Sequence, residues 1–236
     1  MALAPAPLAV DNCLTRNEWI CGEYLLTRRT ELAEATMQHL GIVMASVALG
    51  LVIALPLAWL SRRYPRLEAI LLGSTTAIYT IPSLALFSLL VPLSGLSWQT
   101  VVIGLGLYSL TILVRAILDG LREVPLEVVE WARGGGHSDG ALLMKVQLPL
   151  ALPTVMAGLR VAVVSAVALT TVGAILDAGG LGGMLIDGQR TNFKAQVLAT
   201  SVLCVLLALA LDLVLVLIER LLTPWVRRPG LVEAAA

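Results

Sequence analysis

AILLGSTTAIYTIPSLALFSLLVPLSGLSWQTVVIGLGLYSLTILV, residues 69–114, carries not one charged side chain over 46 positions. As a single α-helix it would run to about 69 Å, more than twice the roughly 30 Å hydrocarbon core of a bilayer. The stretch therefore has to fold back, and VPLSGLS (91–97) supplies Pro92 and Gly95 for the turn. This gives one span over 69–91 and another over 98–118. Both are apolar all round, which excludes a soluble helical bundle with one wet face.

The rest of the chain agrees. Of 236 residues 58% are hydrophobic and only 14% charged, with mean hydropathy +0.90. Soluble domains hold about 45–50% apolar and about 25% charged residues. A disordered chain and a disulfide scaffold are excluded as well. The formal net charge is zero, so no nucleic-acid partner is expected. MALAPAPLAV (1–10) lacks a basic region and does not read as a signal peptide.

Three more segments are long and apolar enough to cross: 40–60, 149–176 and 197–218. The expected fold class is thus an all-α polytopic membrane protein of five transmembrane helices. With five spans, segments 61–68, 119–148 and 219–236 share one side and hold nine Lys and Arg, against five on the other. The positive-inside rule places the richer side in the cytoplasm, hence the N-terminus outside and the C-terminus inside. The organisation that follows is an external segment 1–38 with an amphipathic helix, a transmembrane region 39–225 and a cytoplasmic tail 226–236. Within GEYLLTRRTELAEATMQHL (22–40), Leu25, Leu32 and Ala33 fall on one side of a helix lying on the membrane surface. Cys13 and Cys21 lie in that external, oxidising segment, where they either form a disulfide or stay as thiols. Cys204 is apolar filler. The three cysteines give no metal framework, and His39 and His137 fall on opposite sides of the membrane, so no metal site is expected.

Between the third and fourth spans lies the longest charged segment, 119–148. Its end reads VPLEVVEWARGGGHSDGALLMKVQLPLALP (124–153). Pro125 suits a first helical turn, Glu127 and Glu130 lie near the positive helix start, and Gly134, Gly135 and Gly136 stop the helix. Ser138 or Asp139 caps a second helix over 140–147, and Pro149 and Pro153 open the next span. This is a helix–glycine turn–helix at the inner membrane surface.

This loop resembles the EAA signature of ATP-binding-cassette (ABC) importer permeases. Glu130, Trp131 and Ala132 take the first place, Gly136 falls at the family distance, and Val146, Leu148 and Pro149 close the pattern. Trp131 and Val146 depart from the usual Ala and Ile. YTIPSLALFSLLVPLSG (79–95), PLALPTVMAGLR (149–160) and AGGLGGMLIDG (178–188) are similar to permease subunits of osmoprotectant importers. Their cargoes are glycine betaine, choline, carnitine or related quaternary ammonium compounds. The match covers about residues 23–225. The resemblance implies a type I importer fold and a second permease copy, identical or a sister chain. It also implies a cytoplasmic ATPase dimer, an external substrate-binding protein and a setting in membrane lipid. ATP and Mg would belong to the ATPase, because no GxxxxGK[ST] sequence occurs here; this chain is expected to bind no cofactor and to have no catalytic residues. Permeases for other small solutes, such as methionine, share the architecture. An ion-coupled secondary transporter would call for inverted repeats and paired broken helices, which the sequence does not display.

On this reading Glu127, Glu130, Trp131, Ala132, Gly136, Val146, Leu148 and Pro149 form the ATPase-coupling elbow. The two carboxylates either meet basic groups of the ATPase or are simply solvated. Thr75, Thr76, Tyr79, Thr80 and Ser83 fall within about a 140° arc, with Pro82 interrupting. Such a stripe suits either a solute path or helix–helix contact. Tyr108, Ser109 and Thr111 are weaker candidates for the path. Arg115, Arg160 and Asp212 lie inside spans, where charge is costly and usually paired. All three come to the same inner-half level, so Asp212 is expected to pair with Arg160 or Arg115. The alternative is that each snorkels to the headgroups. Gly179, Gly180, Gly182 and Gly183 suit a tight turn and short re-entrant segment at an outer gate. The few aromatics of the spans are dispersed in sequence, which points to a permissive pore and to specificity in the binding protein.

Overall fold

The structure, a computed structural model, describes residues 12–227. The remainder of the expected head (1–11) and most of the expected tail (228–236) lie outside the described residues. The described chain is helical, without strands: α1 (Gly22–Thr27), α2 (Arg29–Arg63), α3 (Pro65–Thr80), α4 (Ser83–Ser94), α5 (Trp98–Arg122), α6 (Leu126–Gly134), α7 (Asp139–Leu142), α8 (Leu148–Gly173), α9 (Gly180–Arg190) and α10 (Lys194–Leu222). A π-turn, Leu143–Gln147, joins α7 to α8. Four helical stretches are long and apolar enough to span a bilayer, five if the bent pair α3–α4 counts as one.

α5 is the axis of the bundle. Leu113, Val114 and Ile117 are buried against Ala54 and Ala58 of α2 and Ala151 and Ala162 of α8. Apolar burial cannot be what selects these faces, because lipid tails are as apolar as leucine; close backbone approach through small residues does it instead. A Cβ on Gly120 would sit 2.9 Å from the Ala151 carbonyl oxygen, and one on Gly158 would collide with the Ala116 side chain. α10 lies at the periphery, and none of its most apolar stretch is buried.

The segment expected as one straight span over 69–91 is two helices bent by 98°. The cause is Pro82. It has no N–H to offer Ile78, and its ring pushes the preceding residue out of the helical region, so Ile81 is extended at φ −66°, ψ 128°. The Ile78 carbonyl is taken by the Ile81 N–H instead, and the Tyr108 hydroxyl donates to the Ile81 carbonyl. Irregular backbone at membrane depth is tolerated when protein satisfies it in this way.

At the start of the chain, Cys13 and Cys21 are joined by a disulfide. The buried side of the head is Tyr24, Leu32, Ala35 and His39, whereas Leu25 and Ala33 face out. That corrects the expected apolar side, because the head packs on the turn between α9 and α10 rather than presenting Leu25 inward. Tyr24 meets Phe193 edge to face at 5.3 Å, and Asn17 donates to the Asn192 carbonyl while accepting from the Lys194 N–H. Burial raises the Tyr24 phenol above its usual pKa, against the lowering effect of Arg28.

Candidate functional site: a three-helix groove and a projecting elbow

An open groove of about 550 Å³ lies between α3, α5 and α8. Thr76 and Tyr79 line it from α3, Thr111, Arg115 and Asp119 from α5, and Thr154 from α8. The expected stripe divides here. Thr75 is buried, its backbone carbonyl accepting from Thr111 Oγ1 at 2.7 Å. Thr76 and Tyr79 face the groove. Thr80 bonds back to the Ala77 carbonyl, and Ser83 lies beyond the break at the start of α4. Ser109 turns away, toward Gly50 of α2. Tyr108, at 6% exposure, stands behind Tyr79 with ring centroids 5.5 Å apart at 80°. Two aromatics dispersed in sequence therefore meet in space.

The intramembrane charges separate into two groups. Arg160 grips Asp212 as a fork, Nε to Oδ1 at 2.7 Å and Nη2 to Oδ2 at 3.0 Å. Paired forks of this kind are among the strongest charge-assisted contacts. Glu219 stands 3.8 Å from the same guanidinium, a partner that the sequence reading overlooked. Its signal was the seven-residue spacing from Asp212, two turns along one helix face. Arg115 is not part of this cluster. It reaches Thr76 Oγ1 at 3.4 Å, and no carboxylate lies within ion-pair distance of it among the described residues. Asp119, one turn on, is held by Arg122 at 3.3 Å, which also pairs with Glu68.

The elbow projects. α6 buries none of its residues, and Trp131 is 84% exposed with Leu126 at 66%. Glu127 and Glu130 are also exposed, while Ala132 is half-buried. Gly135 closes on the Trp131 carbonyl, and Gly136 turns the chain at φ +83°, a conformation that favours glycine. Ser138 caps α7 through the Ala141 N–H. Pro149 stands in the first turn of α8, as expected, but no loop precedes it. α7, the π-turn and α8 run on as one helical stretch, and the register shift of the π-turn accommodates the proline that has no N–H to give. Val146, Leu148 and Pro149 are half-buried on it, and buried Gln147 accepts from Arg62 Nη1 at 2.7 Å.

The glycine segment docks on α2. Asp177, Gly179 and Gly180 all have positive φ. Gln38 accepts from the Gly180 N–H at 2.9 Å and donates to the Ala178 carbonyl, and a Cβ on Gly180 would meet the His39 backbone at 3.2 Å. Gly182 packs on Thr171, whereas Gly183 faces open space. His39 itself is fully buried and bonds the Val167 carbonyl.

A polytopic helical bundle with an open, largely apolar groove that carries a few polar and charged side chains, and with an exposed helical elbow, fits a membrane transport subunit. The chain belongs to the family described as binding-protein-dependent transport system inner membrane component, which matches residues 46–228. It is a multi-pass protein of the bacterial inner membrane and a transport component rather than a catalytic one. Among its relatives is the osmoprotectant import permease protein OsmW of Salmonella typhimurium, 35% identical over 206 residues, 85% of this chain and 96% of the relative. The glycine betaine/carnitine/choline transport system permease protein OpuCD of Bacillus subtilis is 35% identical over 194 residues, 82% of this chain and 85% of that protein. The fold is shared with the inward-facing MetNI methionine ABC transporter at TM-score 0.73 and 22% identity, covering 86% of this chain and 99% of the other. It is also shared with an amino acid ABC transporter solved with histidines, at TM-score 0.70 and 17% identity, covering 85% and 99%.

Proposed function

We propose that this chain is the permease subunit of an ATP-driven importer for quaternary ammonium osmoprotectants such as glycine betaine, choline or carnitine. Five spans, with α3 and α4 as one broken crossing, put the N-terminus outside and the elbow and C-terminus in the cytoplasm. Two permease copies, identical or sister chains, enclose the path; an external binding protein delivers the solute, and a cytoplasmic ATPase dimer carries the ATP and Mg. The relatives' names support the substrate class, and the nine-to-five excess of Lys and Arg supports the orientation.

The observation that carries the mechanism is α6: a helix with no buried residue, an indole 84% exposed, and a glycine turn at its end. Val128 and Trp131, three residues apart on one side of α6 and both exposed, make an apolar patch of the kind that supports a contact surface. Closure of the ATPase dimer pushes on α6 and is passed along α7 and α8 to the wall of the groove, alternating its access. The fork between Arg160 and Asp212 locks α8 to α10 in the inner half. The glycine turn on Gln38 and His39 shapes the outer end.

The test is co-purification with the cognate ATPase, comparing the native chain with Glu130→Lys and Trp131→Ala. Retention of the ATPase by the native chain alone supports the reading. Equal retention by all three, with solute-stimulated ATP hydrolysis unchanged, refutes α6 as the coupling element.

A further inference from the structure

Within α5, Arg115 has no carboxylate at ion-pair distance among the described residues. An ionisable residue at membrane depth is costly and is kept for a function by default. Asp212 and Glu219 are engaged by Arg160, and Asp119 by Arg122. The Arg115 guanidinium instead lies exposed in the groove, reaching only the Thr76 hydroxyl. One helical turn farther along α3, about 5 Å, Tyr79 presents a ring that is 45% exposed and backed by Tyr108. A cation and a half-exposed aromatic ring thus line one groove.

Resting on the function proposed above, we propose that Arg115 and Tyr79 form a transit subsite for zwitterionic quaternary ammonium solutes. The guanidinium takes the cargo carboxylate and the ring takes the methylated ammonium. A guanidinium fork matches a carboxylate, and a ring face attracts a quaternary ammonium. A cation lacking a carboxylate gains only the second contact and is repelled by the first. The membrane subunit therefore adds its own discrimination, favouring betaine-like or carnitine-like cargo over choline-like cargo. This departs from the permissive pore expected from dispersed aromatics, because Tyr79 and Tyr108 meet in the folded chain.

The test is ATP-driven uptake into proteoliposomes holding the permease with its ATPase, supplied with binding protein saturated by glycine betaine or by choline. Arg115→Gln is expected to lower the betaine-to-choline rate ratio by about tenfold, and Arg115→Lys by no more than about threefold. A ratio unchanged by Arg115→Gln, with uptake intact, overturns the subsite and leaves the transport function standing. Uptake of neither cargo by the native complex overturns both. A second measurement keeps Arg115 in place. In a Thr76→Cys, Cys204→Ala chain, glycine betaine should slow labelling by a water-soluble thiol reagent about threefold more than choline does at equal concentration. Equal protection by the two also overturns the subsite.

Discussion

Replacing Tyr108 by Phe removes one oxygen atom, and the structure places that atom on the Ile81 carbonyl, beside the Pro82 break. The ring stays against Tyr79, so packing is conserved and the loss is confined to one donor. A carbonyl left unsatisfied in a largely buried site costs about 1–3 kcal/mol, and water entering from the groove brings the expected loss to the lower part, about 1–2 kcal/mol. For a chain of this size each kcal/mol lowers the melting midpoint by about 2–4 °C, so Tyr108→Phe should melt about 2–8 °C below the native chain. The assay is thermal unfolding of the detergent-solubilised chain, read by tryptophan fluorescence. The reasoning carries an internal control. In a Pro82→Ala background the backbone can reach the Ile78 carbonyl again and restore regular helix, so the same Tyr108→Phe change should cost less than half as much. A drop below about 1 °C, or an equal drop in both backgrounds, would refute the claim that Tyr108 sustains the break.

Three further outcomes follow from other contacts. Asp212→Asn and Arg160→Gln should each depress the level of folded chain, and exchanging the two residues should recover much of it in a fluorescence-detected gel-filtration profile; an exchange no better than the single changes removes the fork from the account. Gly136→Ala forces a Cβ at φ +83°, in open space, and should cost about 1 kcal/mol locally while the bundle melts as before. Its expected signature is weaker solute-stimulated ATP hydrolysis at unchanged expression. With Cys13 and Cys21 bridged, the denatured, unreduced chain should take up one maleimide, at Cys204, and three after reduction; three labels before reduction would show the bridge absent.

Membrane residence and the long apolar helices were legible because they depend on a quantity that the sequence carries directly, uninterrupted apolar length. The elbow was legible for a related reason. Glycines, a proline and a capping serine act through their own backbone preferences, and Gly136 and Ser138 do what local chemistry demands. Pro82 was visible too, yet its effect was not. Whether a proline merely kinks a span or breaks it by 98° depends on whether a neighbour, here Tyr108, satisfies the freed carbonyl. The pairing of Asp212 with Arg160 rather than Arg115 lay beyond the sequence for the same reason. Position along each helix follows from residue counting, but the face on which α5 meets α8 follows from Gly120 and Gly158 finding Ala151 and Ala116. Thr154 in the groove and Gln38 at the glycine turn went unnoticed because each is an isolated polar residue whose meaning comes from a partner distant in sequence.

The absence of a loop between α7 and α8 has a mechanical consequence. Asp139–Leu176, 38 residues, forms one continuous boom about 55 Å long, with one end beside the elbow and the other beside the glycine turn. Rocking such a boom by about 10° about one end sweeps the other through about 10 Å, a lever ratio that a hinge at Pro149 would have squandered. The five residues of the π-turn shift the helical register without cutting the boom, so a push at the elbow end need not be relayed from part to part.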